Sequence, residues 1–168
     1  SGIMHQDKIC VIGNGVVLDP IQTLAEIADL HTKGINPEGR LFIANNAHVV
    51  LSYHSTLDKA KEKKAGKAAI GTTGRGIGPC YSDKVNRIGV RVGDLMDERE
   101  LRPRVEAMAK VHNEEFTVMY DVPAIDPEVV IKDYLELGQK IKPFVTDVSE
   151  MLYKAVKAGK RLVFEGAQ

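Results

Sequence analysis

The sequence has 168 residues, of which 43% are hydrophobic, and its 23 basic side chains balance 23 acidic ones. This length and apolar content predict one globular domain with a real core and exclude a disordered protein. The zero net charge and the lack of Trp argue against a nucleic-acid-binding or membrane-binding surface. No apolar run reaches the roughly 18 residues that a membrane span needs.

The first strand–helix unit is the clearest local pattern. Residues 8–12 form a short segment that is continuously apolar from Ile9 to Ile12, which is typical of a buried strand in a parallel sheet. A Gly-Asn-Gly turn at residues 13–15 closes that strand. Asp19 and Pro20 then suit the N-cap and first position of a helix that we expect to end at Gly34.

A second unit of the same kind follows. Residues 40–43 predict another strand, and Asn45 with Asn46 predicts the cap of a helix that begins at Ala47. A run of lysines ends this helix: Lys59, Lys61, Lys63, Lys64 and Lys67. The run has two interpretations, a solvated helix end with favourably placed cations or a collar of charge that attracts an anion. We favour the solvated end.

The stretch after the central loop predicts a short extended segment and then a helix. Residues 88–95 read as extended, and Asp97 with Glu100 three positions later gives a helix-start signal. Pro103 follows within the first turns, so we expect the helix either to kink there or to begin there.

The last third of the chain predicts two more helices and a strand. Asp126 and Pro127 repeat the N-cap and proline pattern, and that helix should run toward Pro143. Another helix should end at Gly159, and residues 162–164 predict a closing strand. Helices between short apolar strands indicate an α/β fold, with an incomplete, mostly parallel sheet, flanking helices and a helical insert at about 97–158.

The densest functional signal is the loop at residues 69–87. Four glycines fall within eight residues: Gly71, Gly74, Gly76 and Gly78. Glycine allows positive φ and a close approach of ligand to backbone, and neighbouring Thr and Arg side chains suit a phosphate group. The loop therefore predicts a site for an anionic, phosphorylated small molecule, and the alternative is a long surface turn.

Other motifs are weak or missing. No G-x-x-x-x-G-K-[ST] loop, H-E-x-x-H or C-x-x-C motif occurs. Cys10 and Cys80 lie far apart in the sequence, and we expect both to be reduced thiols in a cytosolic protein. No secretory signal is visible at the start. Asp83 and Lys84 could be an acid/base or ion-pair element, but a solvated pair is the simpler interpretation.

The histidines do not suggest a metal site. His48 and His54 lie six positions apart on the predicted helix and would not share a face. His31 and His112 stand alone in the sequence, and we interpret both as structural.

Residues 71–87 contain the run Gly-Thr-Thr-Gly-Arg-Gly-Ile-Gly-Pro, then Cys-Tyr, then Lys84 and Arg87. This run resembles the central signature of the adenylosuccinate synthetase family. Segments along nearly the whole chain also resemble that family in order: residues 1–3, 12–17, 91–95, 145–149 and 164–168. The ends of the chain do not read as those of a complete domain, so residues 1–168 are expected to be the central portion of such an enzyme.

The resemblance implies a P-loop-NTPase-like synthetase fold and a GTP-dependent ligation of IMP and L-aspartate, in a cytoplasmic homodimer. That carbon–nitrogen ligase phosphorylates the 6-oxygen of IMP, and the aspartate amine then displaces phosphate, which gives adenylosuccinate on the route to AMP. Because there is little covalent chemistry for the protein to perform, positioning and charge neutralisation carry the catalysis.

By the same resemblance, individual residues acquire roles. Thr73 should bind the IMP 5′-phosphate through its hydroxyl and backbone N–H, and Gln168 should help to hold the nucleotide. Arg87 should reach IMP from the partner subunit. Lys84 is the signature's lysine and is taken as the catalytic residue.

Two of the family's N-terminal motifs, with the catalytic Asp and His, are missing from these residues, as is everything after the Gly-Ala-Gln sequence at residues 166–168. The ligands of Mg²⁺ and GTP should therefore lie outside this chain, which by itself should be inactive and hold no metal. The alternatives are a non-catalytic module that binds a nucleoside monophosphate and, less well supported, a basic interaction module at residues 59–67.

Overall fold

The computed structural model describes residues 2–166 and has an α/β fold, as the sequence predicted. Within this range the strands are β1 Cys10–Ile12, β2 Val17–Leu18, β3 Leu41–Ala44, β4 His48–Val49 and β5 Val145–Thr146. The α-helices are α1 Pro20–Thr32, α2 Ser52–Ala65, α3 Ile77–Asn86, α4 Glu98–Glu114, α5 Pro127–Ile141 and α6 Val148–Lys157. No helix of the described part is long and apolar enough to cross a membrane.

All strand pairs within the named strands are parallel. β3 lies in the middle of a three-stranded sheet, in the order β1-β3-β5, with Ile12 beside Ile43 and Ile43 beside Val145. β2 and β4 form a second, two-stranded sheet. Because β1 runs directly into residues 13–15, that turn lies at the carboxyl end of the strand, where α/β folds place their ligands.

The predicted N-caps are confirmed in three helices. The Asp19 carboxylate accepts hydrogen bonds from the N–H groups of Ile21 and Gln22 at the start of α1. Asp97 and Asp126 cap α4 and α5 in the same way. Each acid satisfies N–H groups that have no partner within the helix, which is why these starts could be predicted from sequence.

The helix predicted from Ala47 begins later, at Ser52. Residues 47–51 are all buried, and their β-branched valines suit β4 better than a helix that would expose one face. Asn45 and Asn46 form a turn instead: the Asn45 N–H donates to the Thr146 carbonyl at 3.0 Å, and the Ala47 N–H to the Ala44 carbonyl at 3.1 Å.

Two further predictions were wrong in extent. The extended segment expected at residues 88–95 turns into a 3-10 helix at Val92–Met96, since the Asp94 carboxylate accepts a hydrogen bond from the Arg91 N–H at 2.7 Å. Residues 162–164 form no strand, because no described strand pairs with them; the third position of the sheet belongs to β5, and Val163 is 95% exposed. α4 does not begin at Pro103: it begins at Glu98, and Pro103 lies inside the helix.

The core lies where α4 and α5 pack on each other and on the 3-10 turn at Val92–Met96. Its fully buried side chains include Leu57, Leu95, Leu101, Val105, Met108, Phe116 and Ile141. The range 97–158 therefore supplies much of the core. It also contributes β5, so it is joined to the sheet by strand pairing as well as by side chains.

Candidate functional site

A cavity of about 570 Å³ lies between the first strand–helix unit and the Gly-rich loop. Its lining includes Val17 and Asp19 from the unit, Lys59 from α2, and Thr73 and Arg75 from the loop. The loop and the segment that follows the Gly-Asn-Gly turn thus meet at one cavity.

The start of the loop is tied to α2 by one carboxylate. Glu62 accepts hydrogen bonds from the backbone N–H groups of Gly71 at 2.8 Å, Ile70 at 3.1 Å and Thr72 at 3.4 Å. These N–H groups are therefore occupied by the protein itself, and they are not available to a phosphate in this arrangement.

A second carboxylate of α2 holds the rest of the loop. Asp58 accepts from the Thr72 hydroxyl and from the Gly76 N–H, each at 3.0 Å, and the Ser55 hydroxyl donates to the Gly74 carbonyl at 2.7 Å. Charge-assisted bonds of this kind are the stronger ones. The loop is consequently held in shape by α2, and Thr72 belongs to that scaffold.

Thr73 differs from its neighbours because it faces the cavity and is exposed. Among residues 2–166, nothing hydrogen-bonds to its hydroxyl or its backbone N–H. The exposed Arg75 side chain lies at the same cavity. One hydroxyl, one N–H and one guanidinium are thus available together, a set that suits a phosphate monoester.

Lys84 contacts the Gly-Asn-Gly turn. Its Nζ donates to the carbonyl of Asn14 at 2.8 Å and to that of Gly15 at 3.2 Å, and the Tyr81 hydroxyl also donates to Gly15 at 3.2 Å. The ammonium lies 5.7 Å from the centre of the Tyr81 ring. In this structure Lys84 therefore holds the turn that follows β1.

Arg87 lies at the opposite end of α3 from Thr73. It is the C-cap, exposed, with the left-handed backbone φ of 62°. α3 has 10 residues, so it spans roughly 15 Å at about 1.5 Å per residue. The structure thus does not bring Arg87 and Thr73 together at one cavity.

Asp83 is not the solvated group that the sequence suggested. Its carboxylate is buried and accepts hydrogen bonds from the Tyr53 hydroxyl, from His54 Nε2 at 3.1 Å and from His112 Nε2 at 3.0 Å. Burial alone would raise the pKa of Asp83, but these donors from His112, His54 and Tyr53 hold that pKa far below its usual range. Asp83 is therefore a buried carboxylate anion.

The two histidines of this cluster carry different charges. His54 Nδ1 accepts from the Leu51 N–H at 2.8 Å, so only its Nε2 bears a proton, and burial lowers the pKa of the ring below 6.5. His112 faces carboxylates on both sides, Asp83 and, at 3.3 Å, Glu115. Burial opposes the charge, but these two acids raise the pKa of His112 above 6.5. His112 is thus the cation of the cluster.

His48 lies in β4 and not in a helix with His54, so the predicted shared helix was wrong. Burial lowers the pKa of His48 to about 4, and its Nδ1 has no partner in the described residues. Across residues 2–166 no group of three or more His, Cys, Asp or Glu side chains could hold a metal ion.

The lysine run has several roles. Lys59 lines the cavity, which fits the interpretation as a collar of charge, whereas Lys61 pairs with Glu115 at 3.4 Å and the Lys64 ammonium donates to the Met119 carbonyl at 3.1 Å. Lys63 and Lys67 are exposed, which fits the solvated end.

Gln168 lies outside the described residues, so its predicted contact with the nucleotide has no geometry here. Sequence reasoning missed Asp58, Glu62 and the cluster around Asp83. Tyr53 and His54 were an available signal, because polar side chains that are buried in a helix need hydrogen-bond partners.

The sequence profile of the family described as adenylosuccinate synthetase matches residues 1–168. Curated relatives of that name are similar over the full chain, with 48% identity in Acetivibrio thermocellus and 44% in Microcystis aeruginosa. The chain spans 39% of the first relative and 37% of the second. The matched region is thus well under half of a relative's length.

A solved structure resembles this fold. It is that of fully ligated adenylosuccinate synthetase from Plasmodium falciparum, with a TM-score of 0.82 and 30% identity. The likeness covers 99% of this chain and 38% of that one. Fold and sequence therefore indicate the same family.

Proposed function

Since this chain belongs to the adenylosuccinate synthetase family, we propose that the protein containing it ligates IMP and L-aspartate to adenylosuccinate at the expense of GTP, in the AMP branch of purine biosynthesis. Within that protein, residues 1–168 supply part of the IMP site and part of a homodimer interface, with residues 97–158 as a helical insert. The observation that carries the proposal is Thr73 of the family's signature loop. It lies at the cavity, and its hydroxyl and N–H have no hydrogen-bond partner among residues 2–166.

The phosphate of IMP is the group that this loop suits best. Asp58 and Glu62 occupy the Thr72 hydroxyl and the N–H groups of residues 70–72 and 76. Thr73 and Arg75 are the loop residues that bring donors to the cavity. We assign the 5′-phosphate to Thr73, and Lys59 and Arg75 add positive charge at the same cavity. A nucleoside without its phosphate would leave these donors unpaired, which costs affinity.

Arg87 acts on the partner subunit's nucleotide in this proposal. The length of α3 separates it from the cavity of its own chain, and its exposed position at the helix end leaves it able to reach outward. Val85, 78% exposed on the same helix, would be covered in a homodimer. Both features support a role across an interface.

Lys84 and Gln168 complete the residues proposed for the site. Lys84 stands as the catalytic lysine of the signature, and its contact with the turn at residues 13–15 places its charge at the carboxyl end of β1. Gln168 is assigned to the IMP site from the signature alone. The free Cys10 and Cys80 support a reducing, cytoplasmic setting.

Mg²⁺ and GTP belong to the proposal for the whole protein. The residues described here include no cluster that fits a metal ion, and the sequence has no phosphate-binding P-loop. No step that uses the metal or the triphosphate is therefore assigned to this chain. Their ligands are assigned to other parts of the protein.

The test is a reaction with the full-length protein. Chromatography should detect adenylosuccinate when IMP, L-aspartate, GTP and Mg²⁺ are all present, and none when any one of them is omitted. A protein that binds IMP but forms no adenylosuccinate under these conditions would contradict the ligase assignment and favour a binding module.

Thr73→Val tests the site itself, because it removes the hydroxyl and keeps the shape. We expect the KM for IMP to rise by about tenfold or more, which corresponds to one lost charge-assisted hydrogen bond. The KM for GTP should change little. Thr117→Val is the matched control, since in the described residues the Thr117 hydroxyl donates to the Asn113 carbonyl four positions earlier.

A further inference from the structure

The buried cluster around Asp83 joins three helices at one carboxylate. Asp83 comes from α3, Tyr53 and His54 from α2, and His112 from the last turn of α4. Tyr53 packs its ring 4.9 Å from that of His112 and 4.1 Å from that of His54. α3 is therefore fastened to both of its neighbours by a single side chain.

The charges that face His112 come from each element around it. Asp83 approaches His112 from α3, and Glu115 approaches it from the segment that continues α4. α2 presents the Tyr53 hydroxyl and the neutral His54 to the carboxylate of Asp83. Lys61 of α2 pairs with Glu115 from the outer side at 3.4 Å. The inner contact is thus a buried ion pair between Asp83 and His112, with 3% and 7% of the side chains exposed.

Asp83 is also adjacent to the proposed site residues along α3. It precedes Lys84 directly, and its backbone carbonyl accepts hydrogen bonds from the N–H groups of Ile88 at 3.1 Å and Gly89 at 3.2 Å, which shape the chain just after Arg87. At the other end of α3, the Gly76 N–H is held by Asp58. Movement of Asp83 would therefore move Lys84 and the end of α3 that carries Arg87.

We propose that Asp83 and His112 are positioning residues, a buried ion pair that fixes α3 against α2 and α4 and so sets the places of Lys84 and Arg87. Neither residue touches substrate in this scheme. A buried pair with matched hydrogen bonds favours one arrangement of the helices, and loss of one partner leaves an uncompensated charge. Loss of the His112 proton would thus loosen α3, which makes the order of the site depend on pH.

The first measurement needs no variant. Histidine ring resonances of the full-length protein are followed by NMR against pH. His112 should keep both ring protons to a pH above the ordinary histidine pKa of about 6.5, and His54 should stay neutral. If His112 loses its second proton at or below that pH, the ion pair is wrong.

The second measurement uses His112→Gln, which keeps a hydrogen-bond donor and removes the charge. Amide hydrogens of α3 should exchange about tenfold faster or more, as for a lost charge-assisted hydrogen bond, whereas those of α1 should not change. His31→Gln, the matched control, should leave both unchanged. Unchanged exchange in α3 of His112→Gln would overturn the proposal. Asp83→Asn is not relied on, because it could prevent folding.

The kinetic part rests on the proposed function. In His112→Gln the KM for IMP should rise and lose its dependence on pH above neutrality, while the KM for GTP stays unchanged. An unchanged KM for IMP, with faster exchange, would overturn the link to the site. If the wild-type protein forms no adenylosuccinate, the proposed function fails, and the NMR and exchange results still decide the role of the ion pair.

Discussion

Arg87 occupies a backbone conformation that non-glycine residues rarely adopt. Its φ of 62° ends α3 in the left-handed region, where glycine is the usual residue. Glycine at this position would end the helix at a lower conformational cost, and we therefore infer that the Arg87 side chain has another role. The exposed guanidinium at the helix end supports the proposed contact with a partner's nucleotide.

Arg87→Leu tests that contact. In the full-length protein the binding free energy of IMP should weaken by roughly 1.5–3 kcal/mol, the usual contribution of one charge-assisted contact, while GTP binding stays largely intact. Titration calorimetry with each nucleotide measures both. Arg99→Leu is the control, because Arg99 pairs only with the neighbouring Asp97 at the start of α4. An unchanged response to IMP would reject the assignment.

The residues of the site differ in whether a local sequence pattern is enough to identify them. Thr73, Lys84 and Arg87 lie in one contiguous signature, so a local pattern was enough to single them out. Asp83 depends on His54 and His112, each 29 residues away in opposite directions along the chain. No local rule joins such positions, and the cluster became visible only when α2, α3 and α4 were packed together.

At the scale of elements, Gly76 sets how closely α3 packs on α2. A Cβ at this position would lie 2.5 Å from the backbone carbon of His54, and the φ of Gly76 is +81°. Two backbones therefore meet here without any side chain between them. This contact places the start of α3 beside the cavity.

Gly76→Ala should destabilise the protein by about 2–5 kcal/mol, from steric overlap together with the unfavourable φ. Gly78→Ala, two positions along the same helix, has open space at its Cβ and a helical backbone, so it should be neutral or stabilise by up to about 1 kcal/mol. Urea unfolding of both variants gives the comparison. Equal stabilities would show that α3 does not pack on α2 as described.

The two histidines of the cluster predict opposite slopes of stability with pH. The raised pKa of His112 stabilises the fold fully below its ordinary value of 6.5, and this contribution is lost as pH rises through the folded-state value. The lowered pKa of His54 stabilises the fold above 6.5, and its contribution is lost as pH falls. The free energy of unfolding contributed by this pair should therefore peak near neutral pH.

Urea unfolding between about pH 5 and 8.5 checks this, with His112→Gln and His31→Gln compared at each pH. Above neutral pH the free energy of unfolding should decline less steeply in His112→Gln, whereas His31→Gln should keep the decline. A decline of the same steepness in both variants would show that His112 does not cause it.

The elements predicted best were the helices whose N-cap residue is recognisable in the sequence. Asp19 with Pro20, and Asp126 with Pro127, fixed the starts of α1 and α5 because one acid satisfies the helix's first N–H groups. β4 was misread because Asn45 and Asn46 also look like caps. These residues instead form a strand that pairs with β2. A local sequence pattern does not show such pairing, because it involves two separate segments.

At the scale of the whole molecule, the chain spans 39% of its relative from Acetivibrio thermocellus. The isolated 168-residue chain should therefore show no conversion of IMP that depends on GTP and aspartate. Adenylosuccinate formation at an enzyme-like rate by this chain alone would contradict the proposed division of the site. Calorimetry with IMP on the same sample would show whether the loop binds the nucleotide without the rest.

The parallel arrangement has a consequence for how the protein is made. β3 pairs on one side with β1, which precedes it closely, and on the other with β5, where Ile43 meets Val145 roughly a hundred residues later. The edge of β3 that pairs with β5 therefore remains unpaired while α2 to α5 are synthesised. Unpaired apolar edges of this kind promote aggregation. Nascent chains stopped before β5 should bind holdase chaperones more strongly than chains extended past α6, which crosslinking on stalled ribosomes can measure.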